Sequence, residues 1–298
     1  MTLHAMDTEV TVVTPTLHGA AAHAARAAVA AVFADAEARF SRFRDDSELA
    51  SLNRATAPTR VSRPLMAALL RARDHVALTG GRFDPAVGGA LIAAGYDRSF
   101  GHGLDAATDP PPPPRARFAE LGLDPSRSVI DRPAHLQLDL GGMIKGATVD
   151  QAARLLPPVA AIEAGGDAVL RGGGPDGDGW YVDVEDPADP VRVLVTLVVR
   201  DRAVATSAAN RRRWRRGTRW SHHLIDPATG RPAASDLAQV TIVDDTAERA
   251  EVLAKAVFIA GARAGRALLD RLPTVGAVLV DRDGGVTLVG AAEVAPDA

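Results

Sequence analysis

The stretch IEAGGDAVLRG, residues 162–172, is typical of a β-hairpin, because two short apolar runs flank the glycine pair Gly165–Gly166. Further strand-like runs lie at residues 180–185, 191–199 and 237–243, with glycine-rich turns between them. A parallel sheet needs a helical crossover between successive strands, and these runs far outnumber such units. The sequence therefore predicts an α+β fold of mostly antiparallel sheets with packed helices.

The N-terminal part of the chain predicts one strand followed by helices. Residues 6–14 alternate apolar and polar side chains, and the alanine-rich residues 18–40 have helical spacing. Ser62 is a candidate N-cap for a helix that ends at Gly80–Gly81. The aspartates at positions 45–46 are candidate caps for the shorter helix SELASLN.

The C-terminal part predicts helices and a closing hairpin. A helix is expected at residues 142–156, and two more are expected at residues 247–261 and 263–271. Residues 275–290, VGAVLVDRDGGVTLVG, have the pattern of a hairpin with Asp-Gly at its turn. The order of these elements shows no internal repeat.

The length of 298 residues is enough to bury a sizeable core, as one large domain or as two interleaved subdomains. We interpret residues 1–298 as a single domain. The stretch GHGLDAATDPPPPPRAR, residues 101–117, includes five consecutive prolines, which lack the amide hydrogens of regular secondary structure. It is predicted to form a surface loop.

The composition excludes several classes of function. The chain has no cysteine, which excludes disulfides, thiolate metal sites and cysteine nucleophiles. A net charge of −3 with 24% charged residues is typical of a globular protein and does not indicate nucleic-acid binding. No apolar run has the length of a membrane span, and the first ten residues contain two acids and no basic segment. We therefore expect a cytoplasmic protein with no nucleic-acid partner and no membrane insertion.

Lysine is rare in this sequence. Of the 34 basic residues, only Lys145 and Lys255 are lysines. Either these two positions require a compact ammonium group where a planar guanidinium does not fit, or they are chance remnants of an arginine-biased composition.

The segment LDLGGMIKGATVD, residues 138–150, has the pattern of an anion-binding turn. An acid ends a strand, two glycines form the turn, and Lys145 follows in the first turns of a helix. Backbone N–H groups at a helix N-terminus bind phosphate, and Lys145 would add a positive charge. The alternative is an ordinary strand-to-helix turn with a surface lysine.

Two further segments contain candidate functional residues. In HHLIDPATGRP, residues 222–232, His223 is either an acid–base group or a hydrogen-bonded structural histidine. In RAEVLAKAVFIAG, residues 249–261, Glu251 and Lys255 are four positions apart, which is also the spacing of an ordinary surface ion pair on a helix.

Taken in this order, these segments resemble the FAD:protein FMN transferase family, the ApbE-like flavin transferases, from Met6 to about Gly261. Further matching segments are AMDTEV at residues 5–10, FSRFRDDSELASLNR at 40–54 and GGRFDPAVGGALIAAGYDRSF at 80–100. The resemblance implies an ApbE-like, T-fold-related architecture. It also implies an enzyme that splits FAD at its pyrophosphate with Mg²⁺ and attaches FMN through a phosphoester to a threonine of an acceptor protein.

The resemblance assigns roles to individual residues. The FAD-binding residues that it implies are Met6, Phe43, Arg82, Phe83, Asp84, Asp139, Lys145 and Leu224. The implied catalytic residues are His223, which would deprotonate the incoming threonine hydroxyl, and Lys145. The implied metal site consists of the Gly142 carbonyl together with positions 251 and 255.

One departure from the family concerns this metal site. The family usually presents aspartate and, four residues later, threonine, whereas this chain has Glu251 and Lys255. A carboxylate can bind Mg²⁺, but an ammonium group has no lone pair and repels a cation. Three outcomes follow: weakened magnesium binding, magnesium held elsewhere, or a metal-free enzyme in which Lys255 partly replaces the metal. Two other activities stay open, an FAD-binding protein without transferase activity and an FAD pyrophosphatase that releases FMN and AMP.

Overall fold

The computed structural model describes residues 1–99, 115–216 and 219–296, so most of the predicted proline-rich loop at 101–117 lies outside the described residues. The chain divides into two compact units, each of which is discontinuous in sequence. The first unit comprises Met1–Ala34, Lys145–Asn210 and Ser235–Ala298. The second unit comprises Asp35–Ile144 and Arg211–Ala234.

The described residues form strands and helices that we number along the chain. The strands are β1 (Thr2–Ala5), β2 (Thr8–Val13), β3 (Thr59–Arg60), β4 (Gly122–Asp124), β5 (Val129–Asp131), β6 (Ala160–Ala164), β7 (Asp167–Arg171), β8 (Trp180–Glu185), β9 (Val193–Val199), β10 (Arg202–Ala208), β11 (Arg213–Arg216), β12 (Arg219–His222), β13 (Ile225–Asp226), β14 (Arg231–Pro232), β15 (Leu237–Asp244), β16 (Gly276–Asp281) and β17 (Val286–Gly290). The helices are α1 (Gly19–Phe40), α2 (Glu48–Arg54), α3 (Arg63–Leu78), α4 (Gly88–Ala93), α5 (Ile144–Ala153) and α6 (Ala247–Leu269).

An eight-stranded sheet forms the centre of the first unit. Its order is β1-β2-β6-β7-β10-β15-β16-β17, and every neighbouring pair is antiparallel. The hairpin predicted around Gly165–Gly166 is the β6–β7 pair, and the predicted closing hairpin is β16–β17. The predicted α+β class with antiparallel sheet is therefore confirmed.

Both faces of this sheet are buried, because successive side chains along a strand point to opposite faces. On one face, Ile162 of β6 belongs to an apolar cluster with Phe33 of α1 and Val149 of α5. On the other face, Ala161 belongs to a cluster with Trp180 of β8, which pairs with β9 in a separate two-stranded sheet. The sheet therefore has helices on one side and a β-hairpin on the other.

Local sequence signals set several helix ends. Ser62 caps α3 as predicted, since its side chain accepts a hydrogen bond from the Leu65 N–H. The cap of α2 is Ser47, which accepts from the Ala50 N–H, so the prediction that the preceding aspartates at 45–46 cap this helix is wrong. Near the C-terminal end of the chain, Gly261 has φ of 77° and interrupts α6, at the break predicted between two helices.

The second unit contains helices α2 to α4 and three small sheets. One sheet has the order β3-β5-β4, and the others are the hairpins β11–β12 and β13–β14. A small core of Ala90, Leu91, Tyr96, Trp214 and Ile225 packs beside α4. Among the described residues, no helix is long and apolar enough to span a membrane.

Candidate active site

A buried ion pair links α5 to the β6–β7 hairpin in the first unit. Lys145 lies in the first turn of α5 and is 9% exposed. Its Nζ donates to the Ala164 carbonyl oxygen at 2.9 Å and to the carboxylate of Asp167. Ala164 and Asp167 are opposite each other at the end of the hairpin, where Gly165 and Gly166 both have positive φ. The tight turn therefore presents two acceptors to one ammonium group.

A second ion pair lies on α6. Glu251 is buried, and its Oε2 accepts a hydrogen bond from the Gly146 N–H at 3.0 Å. Its Oε1 is 3.9 Å from the Nζ of Lys255, one helical turn further along. We call Lys145, Asp167, Glu251 and Lys255 the charge cluster. It contains two carboxylates and two ammonium groups, so its formal charges cancel.

The protonation of Asp167 depends on its burial and on the other members of the charge cluster. Burial and then the negative charge of Glu251 raise the pKa of Asp167 to about 7, although Lys145 and Lys255 oppose this shift. Asp167 therefore exchanges its proton in the neutral range, where an ordinary aspartate is fully ionised. Strongly shifted carboxylates of this kind are concentrated at functional sites.

Backbone contacts fix the approach of α5 to α6. A Cβ atom on Gly146 would lie 2.5 Å from the carbonyl carbon and oxygen of Ala247, so a side chain does not fit there. Asp150 accepts hydrogen bonds from the N–H groups of Ala247 and Glu248, at 2.8 and 3.0 Å, and so caps α6. Glu251 in turn accepts from Gly146 on α5. The Gly146 N–H is one of the backbone donors that the sequence predicts for phosphate binding. It donates instead to the carboxylate of Glu251.

The second unit contains a cluster of rings around an arginine. The guanidinium carbon of Arg42 lies 4.0 Å from the ring centre of Phe43 and 4.7 Å from that of Tyr96. The Nε of Arg42 donates to the Asp139 carboxylate, and the Tyr96 ring lies 5.5 Å from the Trp214 ring. We call Arg42, Phe43, Tyr96, Asp139 and Trp214 the arginine–aromatic cluster.

One donor of the arginine–aromatic cluster is unsatisfied. The Nη2 atom of Arg42 is buried and has no hydrogen-bond partner among the described residues, and the side chain is 7% exposed. Leaving such a donor unpaired costs about 1–3 kcal/mol. A buried N–H group beside two aromatic faces and a carboxylate is suited to a flat ring that carries a hydrogen-bond acceptor.

His223 directly follows β12 and is half-buried. Its Nδ1 lies 3.3 Å from the carbonyl oxygen of Arg212, which also accepts a hydrogen bond from the His223 backbone N–H at 3.3 Å. A carbonyl oxygen can only accept, so this contact favours the tautomer that carries the hydrogen on Nδ1. The lone pair of the neutral ring is then on Nε2, which is the atom that can take a proton.

In the predicted loop of Arg82, Phe83 and Asp84, the side chains of Phe83 and Asp84 make contacts within the protein. Phe83 is 3% exposed and packs edge to face against His75. Asp84 accepts hydrogen bonds from the backbone N–H groups of Ala86 at 2.8 Å and Phe118 at 3.2 Å. Burial raises the pKa of Asp84, and these backbone donors oppose that shift. Both side chains therefore stabilise the loop.

The other predicted site residues have different degrees of exposure. Leu224 is fully buried, the side chain of Arg82 is exposed, and Gly142 is half-buried in the turn before α5. Met6 is half-buried and adopts φ of 52°, which is uncommon for a residue with a side chain. That backbone position lies in the turn between β1 and β2.

The residues around Glu251 do not fit a resident magnesium ion. One carboxylate oxygen accepts from the Gly146 N–H, and the other faces the Lys255 ammonium group. Magnesium requires near-octahedral oxygen ligands and is repelled by a neighbouring cation. Across the described ranges 1–99, 115–216 and 219–296, no group of three or more His, Asp or Glu side chains is arranged to hold a metal ion.

No functional role was predicted for Asp167, Arg42, Tyr96 or Trp214. Asp167 directly follows the glycine pair Gly165–Gly166 of the predicted hairpin. An acid beside a tight turn could have been noted as a candidate site residue. Arg42, Tyr96 and Trp214 are far apart in sequence and meet only in the folded second unit. No local pattern could have indicated that cluster.

Comparison with known proteins gives a family match and curated relatives. A family model described as the ApbE family matches residues 6–279. A protein named FAD:protein FMN transferase from Treponema pallidum is 33% identical over 285 residues, which cover 88% of this chain and 78% of the relative. A protein of the same name from Vibrio cholerae serotype O1 is 30% identical over 247 residues, covering 78% of this chain and 72% of the relative.

Solved structures show the same fold. The crystal structure of the ApbE protein from Thermotoga maritima has a TM-score of 0.82 and 23% identity, covering 97% of this chain and 96% of that one. The flavin transferase ApbE from Vibrio cholerae has a TM-score of 0.80 and 23% identity, covering 98% of this chain and 96% of that one. The architecture is therefore that of the ApbE structures.

Proposed function

The chain belongs to the ApbE family, and from that premise we propose that it is an FAD:protein FMN transferase that attaches FMN to a threonine of an acceptor protein. The observation that carries this proposal is the extent of the family match. Residues 6–279 include every predicted site residue, from Met6 to Lys255. The relatives that bear this activity in their names are aligned over more than two thirds of this chain.

The chemistry requires a base, because an unactivated hydroxyl is a poor nucleophile at neutral pH. His223 takes the proton of the threonine hydroxyl on Nε2, while Nδ1 donates to the Arg212 carbonyl and holds the ring. The threonine oxygen then forms a bond to the phosphorus of the FMN half. The bond from that phosphorus to the bridging oxygen breaks, and AMP leaves with the bridging oxygen.

Each unit, taken by itself, contains groups that are suited to part of FAD. In the first unit, Lys145 directs two of its ammonium protons to Ala164 and Asp167, and donates its third to a diphosphate oxygen. In the second unit, the Arg42 Nη2 donates to a ring acceptor, and Asp139 accepts from a ring N–H group. Phe43 presents a face for stacking. Met6 and Arg82 are further proposed contacts, whereas Leu224 is fully buried and has no surface for a ligand.

The test is an incubation of the purified protein with FAD, with and without an acceptor protein that the Treponema pallidum relative labels. Flavin on the acceptor together with released AMP supports the transferase. Free FMN and AMP without labelling indicate an FAD pyrophosphatase. FAD bound with no AMP released indicates a binding protein without transferase activity.

A histidine variant tests the assigned base. We expect His223→Asn to slow flavin labelling by at least about 100-fold, the usual range for loss of a general base, with FAD affinity nearly unchanged. His135→Asn is the matched control, because His135 is an exposed histidine with its own hydrogen-bonded partner, Glu120. Labelling by the His223 variant at the rate of this control would contradict the assignment.

A further inference from the structure

The two lysines of this chain belong to one cluster. Lys145 and Lys255 are the only lysines among 34 basic residues, and they are 110 positions apart in the sequence. In the folded first unit, both lysines belong to the charge cluster, together with Asp167 and Glu251. Chance retention at two distant positions does not account for this convergence. A shared function of the two compact ammonium groups accounts for their presence in one cluster.

The side chains of the charge cluster are largely buried. The side chains of Lys145 and Lys255 are 11% and 16% exposed, and those of Asp167 and Glu251 are 2% and 7% exposed. Buried ion pairs recover little net stability, because desolvation offsets their attraction. An arrangement of this kind is better explained by anion binding, in which charges of low mobility are fixed before the ligand arrives.

We propose that the Lys255 ammonium group replaces a divalent cation in neutralising the diphosphate of FAD, so that FMN transfer by this protein is independent of magnesium. This inference rests on the function proposed above. It agrees with the donor set at Glu251, which does not fit a magnesium ion. Glu251 then holds two groups in place, the Gly146 amide and the Lys255 ammonium, and contacts no metal.

In the transfer step, Lys255 acts by charge and does not exchange a proton. The threonine Oγ–P bond forms, the bond between phosphorus and the bridging oxygen breaks, and the hydroxyl proton goes to His223. The negative charge that develops on the departing AMP phosphate is stabilised by the ammonium groups of Lys145 and Lys255. The reaction balances with FAD and the threonine as reactants and with AMP and flavinylated threonine as products.

The first measurement compares unmodified protein in EDTA and in millimolar MgCl₂. We expect AMP release and acceptor labelling in EDTA to stay within about twofold of the values with magnesium, and FAD affinity by calorimetry to be the same in both. A fall of more than about tenfold in AMP release or acceptor labelling in EDTA, reversed by MgCl₂, would overturn the proposal.

Variants of Lys255 provide the second measurement. We expect Lys255→Thr to lose at least about tenfold in FAD affinity and in AMP release in EDTA, and to recover part of the loss with MgCl₂, because threonine offers an oxygen ligand. Lys255→Arg retains the positive charge in a bulkier group, so we expect it to lose part of the FAD affinity while its remaining activity stays independent of magnesium. Arg266→Thr is the matched control, since Arg266 also pairs with an acid four residues later, Asp270 at the C-cap of α6, but is exposed.

The calorimetric measurement separates this proposal from the proposed function. If neither condition gives AMP or a labelled acceptor, the transferase assignment fails. An FAD affinity that falls in Lys255→Thr and is the same with and without magnesium would still support the replacement of the cation by Lys255. FAD binding by Lys255→Thr equal to that of Arg266→Thr in EDTA would contradict it, provided that circular dichroism shows both variants to be folded.

Discussion

At the scale of single residues, Arg42 combines a buried ion pair with a buried donor that has no hydrogen-bond partner among the described residues. Its Nε is paired with Asp139, its guanidinium group lies against the rings of Phe43 and Tyr96, and its buried Nη2 has no acceptor among the described residues. Arg44, two positions later, forms an exposed pair with Asp46 at 2.9 Å. The two arginines therefore share a sequence neighbourhood and differ in burial.

We expect Arg42→Met to raise the KM for FAD by at least about tenfold, or about 1.4 kcal/mol, because the variant removes a charged donor and leaves Asp139 without its charged partner. Steady-state kinetics and FAD titration measure the effect. Arg44→Met is the control and should change KM by less than about twofold. Equal KM values for the two variants would contradict a role for Arg42 in binding FAD.

Asp167 predicts a dependence of stability on pH. Its pKa in the folded protein is about 7, above the ordinary value of about 3.9, so the folded state binds the proton more tightly than the unfolded state. The free energy of unfolding should therefore fall as pH rises from about 4 to about 7, and the contribution of Asp167 should be constant above that range.

The slope from this group is at most about 1.4 kcal/mol per pH unit. Urea denaturation across this range should show a steeper fall for the unmodified protein than for Asp167→Asn. Asp270→Asn, which removes an exposed carboxylate at the C-cap of α6, should keep the original slope. Identical slopes for all three proteins would show that Asp167 is ionised with an ordinary pKa in the folded state.

At the scale of elements, α5 and α6 are held by reciprocal caps and by a glycine contact. Asp150 of α5 caps the start of α6, and Glu251 of α6 accepts from Gly146 of α5. We expect Gly146→Ala to destabilise the protein by at least about 2 kcal/mol. The added methyl group would lie 2.5 Å from the backbone of Ala247, which outweighs the gain of up to about 1 kcal/mol in helix propensity.

Thermal and urea denaturation measure this loss. The control is Gln151→Ala, which also places alanine in α5 but at an exposed position, and should change stability by less than about 0.5 kcal/mol. If Gly146→Ala is as stable as the control, then α5 can move away from α6 at no cost, and the close approach does not fix the spacing of Lys145 and Glu251.

Elements with local signals could be predicted from the sequence, and those that depend on partners could not. The Gly165–Gly166 hairpin, the Ser62 cap and the break at Gly261 each follow from one or two residues with special conformations. Strand β10 was not predicted. The small residues of ATSAA resemble a turn, and they form a strand because β7 and β15 pair with it on both sides.

The same distinction applies to the site at the scale of the whole molecule. Ordered motifs identified the family, and they are the basis of the prediction that the segments around Lys145 and His223 contribute to the site. The motifs could not show that Lys145 binds Asp167, or that Arg42 lies over Phe43, because those contacts depend on packing between distant segments. The substitution of Glu251 and Lys255 for the usual metal ligands was visible in the sequence, but its consequence required the positions of both side chains.

Binding of FAD should be detectable in the stability of the whole protein, because a ligand that binds only the folded state stabilises it. At a concentration about 100 times the Kd, this linkage contributes about 2.7 kcal/mol, which raises the Tm by several degrees. FMN and AMP each make only part of the contacts that FAD makes. We therefore expect FAD to raise the Tm more than FMN or AMP does at the same concentration.

Differential scanning fluorimetry in EDTA and in MgCl₂ distinguishes the sources of this stabilisation. If the charge cluster binds the diphosphate, the shift caused by FAD is the same with and without magnesium and becomes smaller in Lys255→Thr. If Arg42 and Asp139 bind a ring of FAD, Arg42→Met also reduces the shift, whereas Arg44→Met and Arg266→Thr do not. A full FAD shift in both Lys255→Thr and Arg42→Met would mean that FAD binds elsewhere on the molecule, and both clusters would then need another explanation for their buried charges.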